Sequence, residues 1–456
     1  MERVDVLVAG NDARALNVVT EADARSWLQQ QSPATRAQLA AQRFEPRRHS
    51  QGVMYGPSGE PEAAVVVVKS LADGWALSLC PSLLPPIAFA PSTEVSDAAL
   101  IGFALGSYQF LRYRPTLKRA MATLVVADAE RRERLNAIAR AVFNARDLVN
   151  TPTEDLGPEQ LEAHIRALGS EYGATVRSIV GDALLTERFP AIHAVGRASH
   201  RAPRLVELSA GHPDHPRIAI VGKGVCFDTG GLDIKPSDGM ALMKKDMGGA
   251  AVAIELARLV LGAKLPVRLH LLVPTVENAI GPNAYRPGEV IATRAGVSVE
   301  IGNTDAEGRV ILCDALTYAQ EHKPALLLDF ATLTGAARIA LGPDLPALFC
   351  NDEGLSSALL AAGKKVTDPL WPMPLWEDYY PMLDSKIADL NNAGASSKMA
   401  GAVTAALYLK RFVADSTPWA HLDTYCWSDG KPGRPAGGDC QGLRAAFAFL
   451  SERFPA

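Results

Sequence analysis

The chain has 456 residues, 48% of them hydrophobic and 21% charged, which is the composition of a water-soluble globular protein with ample core and room for two or three domains. A net charge of −4 leaves no global basic field for nucleic acid. No apolar stretch reaches the ~18 residues of a membrane-spanning helix, so no membrane partner is expected.

The six cysteines, Cys80, Cys226, Cys313, Cys350, Cys426 and Cys440, contain no Cys-x-x-Cys pair, so reduced thiols and a cytoplasmic location are expected. Glu2, Arg3 and Asp5 interrupt any apolar run at the start, which argues against a secretory leader.

In chain order, residues 1–125 carry no recognisable chemistry and are expected to form a small N-terminal α/β domain. Val4 to Val8 and Ala63 to Lys69 read as strands, and residues 21–43 as a helix. Basic residues at Arg112 to Arg119 and Arg131 to Arg134 read as solvated faces. Ala127 to about Val149 reads as a long connecting helix, stopped ahead of Thr151-Pro152. It opens the second part, residues 126–456.

From Thr151 onward strands and helices alternate. Ile218–Gly222, Val267–Val273, Val297–Ile301, Leu326–Phe330 and Ala347–Phe349 read as strands. Gly248 to about Gly262, Gly308–His322 and Gly401–Phe412 read as helices. This alternation predicts a mainly parallel, doubly wound sheet in the C-terminal part.

Two clusters carry chemistry. The first follows the apolar run Ile218 to Gly222: Lys223 comes at once, then a Gly-rich stretch with Asp228, then Lys235, with Asp246 just ahead of a helix. Open α/β sheets place their ligands at the C-terminal ends of strands. The second is Asn303-Thr304-Asp305-Ala306-Glu307-Gly308-Arg309. Two acids and a guanidinium alternate there, and an extended segment or loop would point all three to one side.

Asp228, Asp246, Asp305 and Glu307 supply four negative charges, which two divalent cations would balance. A neutral Lys223 could coordinate a metal, while a charged Lys235 could polarise a carbonyl. Each lysine taken singly also reads as a surface charge.

His212 and His215 have metal-like spacing but lie in a polar, turn-rich loop. His270 and His421 lie in strand-like runs and read as core histidines, and Cys226 as an inert loop thiol. No His-Glu-x-x-His and no nucleophile elbow is present.

Together these runs resemble the leucine aminopeptidase (cytosol aminopeptidase) family of dinuclear metallopeptidases, over Asn144 to about Trp427. Further shared runs are Asn-Ala-Arg-Asp-Leu-Val-Asn-Thr-Pro at 144–152, Ile-Lys-Pro at 234–236, and Lys-Asp-Met-Gly-Gly-Ala-Ala at 245–251. Ala-Thr-Leu-Thr-Gly-Ala at 331–336, Ala-Asp-Leu-Asn-Asn at 388–392 and Trp-Ala-His-Leu-Asp at 419–423 complete the set.

The resemblance implies a metal-dependent aminopeptidase acting on peptides with a free N-terminus. It implies two divalent ions per subunit, Zn²⁺ or Mn²⁺ before Mg²⁺ or Co²⁺, held by Lys223, Asp228, Asp246, Asp305 and Glu307. Asp228 and Glu307 match bridging positions. Lys235 matches an oxyanion-stabilising position. Arg309 matches the residue that holds a bicarbonate serving as general base for the metal-activated water. The resemblance also implies a homohexamer, and a pocket for the first side chain drawn from Met243, Thr332, Gly335 and Tyr425.

The chain departs from the family pattern after Asp423. Thr424-Tyr425-Cys426 stands where Ile-Ala-Gly is usual, and Pro432 to Gly438 is altered. A Tyr in place of a small residue would narrow the pocket if it points inward. The alternative reading is a DNA-binding or structural oligomer on the same fold with incidental peptidase activity, and the acidic net charge disfavours nucleic acid.

Overall fold

The computed structural model describes residues 5–10, 12–394, 399–431 and 434–456. Val4, at the head of the first expected strand, and Pro432 and Gly433, in the altered C-terminal run, lie outside them. The chain divides into two compact units. One comprises residues 1–143 with 365–367 and 428–436; the other comprises 144–364, 368–427 and 437–456.

The first unit holds a six-stranded sheet in the order Leu7–Val8, Thr123–Val125, Ala88–Pro91, Arg14–Thr20, Pro61–Val68, Gln51–Tyr55. All its pairings are parallel except that of Gln51–Tyr55 with Pro61–Val68. The helix expected over 21–43 is two helices, Ala24–Gln29 and Pro33–Ala41. The break falls where Pro33 can offer no N–H to a continuing helix. Ser32 restarts it as N-cap, its hydroxyl accepting from Thr35 N at 3.0 Å. The connecting helix runs Ala129–Asn150.

The second unit is built on a nine-stranded mixed sheet. Its order is Trp371–Pro372, Ala347–Cys350, Trp419–Asp423, Leu326–Ala331, Arg217–Gly222, Arg268–Asn278, Arg204–Ala210, Thr175–Val180. The ninth strand, Gly224–Asp228, pairs with the far half of Arg268–Asn278. The four central strands are parallel, whereas Thr175–Val180, Arg204–Ala210 and Ala347–Cys350 join antiparallel. Central strands such as Leu326–Ala331 are buried along their whole length, because helices cover both faces. Gly248–Gly262 and Glu307–Glu321 are two of these helices, buried through most of their residues.

Three local expectations are corrected. The segment over Val297–Ile301 is a short strand, Ser298–Glu300, but it belongs to a separate three-stranded sheet. Asp228 and Cys226 lie on a strand rather than in a Gly-rich loop. The Asp305–Arg309 run is not extended, because a helix begins at Glu307. An acid in the first turn is favoured there by the helix dipole.

Candidate active site

The parallel strands deliver the site at their carboxyl ends. Lys223 follows the Arg217–Gly222 strand, and its backbone N–H bonds Phe330 O of the neighbouring strand at 2.9 Å. Its side chain is buried. Nζ lies 2.7 Å from Asp246 Oδ2 and 2.8 Å from Glu307 Oε1, and donates to Thr332 O at 3.0 Å.

Asp228 closes the Gly224–Asp228 strand. Its Oδ1 accepts from Gly230 N at 2.9 Å and Asn278 Nδ2 at 2.8 Å. Beyond it the chain turns back through Gly230, whose φ of +86° favours glycine and where a Cβ would sit 2.4 Å from Asp233 O. The turn brings Lys235 over Asp228, Nζ to Oδ2 at 2.7 Å, and Lys235 also pairs with Asp305.

Asp246 is buried in the 3₁₀ turn Met243–Met247, its Oδ1 accepting from Thr332 Oγ1 at 2.7 Å. Glu307 and Arg309 occupy the first turn of the Glu307–Glu321 helix, where Gly308 lets Lys223 pass. A Cβ at Gly308 would lie 2.6 Å from Lys223 Cε and 2.7 Å from Nζ.

Six of the seven charged residues singled out in the sequence thus form two triads, Lys223 with Asp246 and Glu307, and Lys235 with Asp228 and Asp305. The triads meet: one carboxylate oxygen from each of Asp228, Asp305 and Glu307 lies within 4.8 Å of the others. Arg309 stands apart from both. It is buried, donates through Nη1 to Asn392 O at 2.7 Å, and leaves Nε without a hydrogen-bond partner among the described residues.

The electrostatics follow from burial. Desolvation opposes the charge on Lys223, but Asp246, Glu307 and Asp228 outweigh it and hold the ammonium's pKa above its ordinary value. Burial likewise opposes the charge on Lys235, where Asp228, Glu307 and Asp305 raise the pKa. Burial and the neighbouring Asp228 push Asp305 up to about 6 against the pull of Lys235. Burial, again with Asp228, drives Glu307 well above the usual carboxylate range. Among the chain's own groups, four crowded carboxylates face two ammonium ions. Glu307 Oε2 is buried with no hydrogen-bond partner among the described residues. This donor set fits divalent cations, which hard carboxylate oxygens favour.

Several residues that shape the site were given no role from the sequence, although Asn392 and Asp423 close the runs at 388–392 and 419–423. Asn392 accepts from Gly302 N and Asn303 N through Oδ1 and donates to Asn303 O at 2.8 Å, tying down the loop before Asp305. Asn278 joins Asp228 to Thr304 O, which Tyr285 also reaches at 2.6 Å. Asp423 anchors Leu333 N and Thr334 N beyond the Leu326–Ala331 strand.

The four expected pocket residues are placed unequally. Thr332 faces Asp246. Met243 heads the 3₁₀ turn that carries Asp246, and Gly335 is exposed at the start of the Gly335–Leu341 helix. Tyr425 is half-buried, with Lys245 Nζ and Arg338 Cζ each over its ring at 4.9 Å from the centre. His212 and His215 are exposed, and His421 is buried with Nδ1 2.6 Å from Asp329 Oδ1.

Residues 143–446 match the model of the cytosol aminopeptidase family catalytic domain, and residues 15–127 match that of the M17 aminopeptidase N-terminal domain. A protein of Roseiflexus castenholzii named "Probable cytosol aminopeptidase" is 39% identical over 389 residues, spanning 81% of this chain and 79% of its own. The crystal structure of a cytosol aminopeptidase from Coxiella burnetii is 44% identical, with a TM-score of 0.93 over 98% of this chain and 99% of that one. The bottromycin maturation enzyme BotP, in complex with Mn, is 30% identical, with a TM-score of 0.86 over 97% of this chain and 100% of its own. The carboxylate cluster at the strand ends and these likenesses agree: the chain belongs to the cytosol aminopeptidase family, metal-dependent hydrolases that act on peptides.

Proposed function

We propose that the protein removes single residues from peptide N-termini at a site for two divalent cations, Zn²⁺ or Mn²⁺ before Mg²⁺ or Co²⁺, held by Lys223, Asp228, Asp246, Asp305 and Glu307. The observation that carries this reading is the convergence of the two triads around the buried, unpartnered Glu307 Oε2. When bound, such cations lower the pKa of a water and polarise a carbonyl oxygen.

The chain's own residues supply the rest. Lys235 is held charged beside the cluster and half-buried, so its ammonium can donate to the oxygen that becomes negative as the peptide carbonyl is attacked. Arg309 is a desolvated guanidinium whose Nε has no partner among the described residues, which suits an anion such as bicarbonate acting as general base. Asp246 and Thr332 fix the wall nearest Lys223. A substrate with a free amino group meets a carboxylate-rich centre, which favours cleavage at the first bond.

We also assign residues 1–125 to an N-terminal domain and 126–456 to the connecting helix with the catalytic domain. A homohexamer in the cytoplasm completes the reading. Exposed Trp371, Trp376 and Ile387 offer apolar surface for self-association, and all six cysteines are unpaired. The test is an aminoacyl-amide panel run after exhaustive chelation and again with each metal restored. Full turnover by verified metal-free protein would overturn the proposal.

A further inference from the structure

Away from the strand ends, a second cluster has the composition of a metal site. Glu207 on the Arg204–Ala210 strand and His270 on the Arg268–Asn278 strand share one sheet face. In the antiparallel register His270 lies opposite Ser209 and Leu272 opposite Glu207. His322 is the C-cap of the Glu307–Glu321 helix that crosses this face. One ligand atom from each of the three lies within 4.8 Å of the others. His270 Nε2 is already 2.8 Å from Glu207 Oε1, and Tyr318 donates to Glu207 Oε2 at 3.1 Å.

Two observations go beyond a satisfied core network. His270 Nδ1 and His322 Nε2 are both buried and both lack a hydrogen-bond partner among the described residues. An unpaired buried nitrogen is costly, and two on adjacent rings call for a cause. The ring centres of His270 and His322 are 4.7 Å apart and nearly perpendicular, at 85°. His322 is also held below its ordinary pKa by burial, His270 and Arg217. It therefore presents the neutral imidazole that a metal needs.

We propose that Glu207, His270 and His322 form a metal site separate from the peptidase centre, taking one borderline transition-metal dication of the Zn²⁺ or Co²⁺ class. Two imidazoles and a carboxylate select such ions over Mg²⁺ or Ca²⁺. Ligand bonds of ~2.0–2.1 Å bring donor atoms to about 3.3 Å from one another in a tetrahedron. Gathering these three requires a shift of at most about 1.5 Å, which half-buried His322 at a helix end can make. The C-terminal end of the helix favours a cation, and Glu207 and Glu321 add negative charge. Arg217 beside His322 opposes it.

The helix spans 15 residues from Glu307 to Glu321, so its two ends are about 22 Å apart. An ion at His322 cannot touch substrate at Glu307. Its role is to pin the last turn of the helix, whose first turn carries Glu307 and Arg309, to the sheet.

The test counts metal. Wild type, His322→Ala and His322→Asn are dialysed against Zn²⁺ or Co²⁺, desalted, and analysed for metal per chain and for peptidase activity. The wild type is expected to hold one equivalent more than either variant, while both variants keep their peptidase activity. Zn²⁺ should raise the wild-type melting temperature more than that of the variants, because binding to the folded state alone is stabilising. The wild-type-minus-variant Co²⁺ spectrum should show visible bands of a four-coordinate ion. Equal metal content in all three proteins overturns the site. So does loss of the ion accompanied by loss of activity in both variants, since the ion would then leave through general collapse. The count is a difference between proteins, so it does not depend on how many ions the peptidase centre holds.

Discussion

Gly308→Ala tests whether Lys223 is pinned in the geometry seen. The added Cβ would stand 2.6 Å from Lys223 Cε and 2.7 Å from Nζ. Relief to an ordinary contact needs a retreat of nearly 1 Å, and a lysine end on the surface would give way at little cost. Lys223 cannot, because it is buried and its Nζ makes three short contacts, to Asp246, Glu307 and Thr332 O. Moving it weakens at least two charge-assisted hydrogen bonds, each worth about 1.5–3 kcal/mol. Against this, Ala gains about 1 kcal/mol over Gly in a helix. The balance is a loss of about 2–5 kcal/mol if both bonds are lost, together with weaker metal retention. Urea unfolding of the metal-free protein and metal analysis of the loaded one measure the two effects. A Gly308→Ala protein as stable as wild type, with its metal content and kcat intact, would refute the argument that Lys223 has nowhere to go.

Other outcomes follow from the same geometry. Glu307→Ala should lose metal as well as rate, whereas Lys235→Ala should keep its metal and lose about 10²–10³ in kcat, as for removal of an oxyanion donor; equal metal loss in both, by elemental analysis, would contradict that division. Burial lifts Glu255 to about 7 against Arg258 and Asn144, so the folded state holds a proton that the unfolded state has released. The associated stability is fully present below about pH 4.5 and is lost as pH rises through about 7, with a span of roughly 3 kcal/mol. Melting temperatures between pH 5 and 8.5 should fall more steeply in wild type than in Glu255→Gln, and parallel curves would reject the shift. Tyr425→Ala should move the kcat/KM ratio of leucyl over alanyl substrates upward, by the ~1–3 kcal/mol that a poorly fitted group costs; an unchanged ratio would remove Tyr425 from the pocket.

The charged residues were legible because they sit inside short contiguous Gly-containing runs, with Lys223 and Asp228 at strand ends and Asp246, Glu307 and Arg309 in the first turns of helical segments. Their partners were not. Asn278 and Asn392 act on Asp228 and on the loop before Asp305 from 50 and 89 residues away in the chain; Asn278 is an isolated Asn with no local signal, and the run that holds Asn392 does not tell which distant backbone it binds. The edge strand Thr175–Val180 was missed because its exposed, mixed-polarity residues lack the continuous apolar run that marks the central strands, and its neighbour Arg204–Ala210, though mostly buried, was missed because Arg204, Glu207 and Ser209 interrupt such a run. Alternation misled at Asp305 to Arg309. Period two suggested an extended segment, yet the Glu that supports that pattern is also a good first residue for a helix. His322 fell at the boundary of a helix read from periodicity, so its meeting with His270 and Glu207 was invisible until the helix was laid on the sheet.

The unit that begins the chain also contains some of its last residues. Residues 365–367 and 428–436 belong with 1–143. There the Arg434 guanidinium lies 5.5 Å from the centre of the Trp75 ring, and Thr367 fills the space a side chain on Gly74 would need. During synthesis, therefore, the N-terminal unit cannot be completed when its first 143 residues leave the ribosome; it must wait for nearly the entire polypeptide. A gene fragment ending near residue 143 would encode an unfinished unit, prone to aggregate, while one ending beyond 436 would encode all of its pieces.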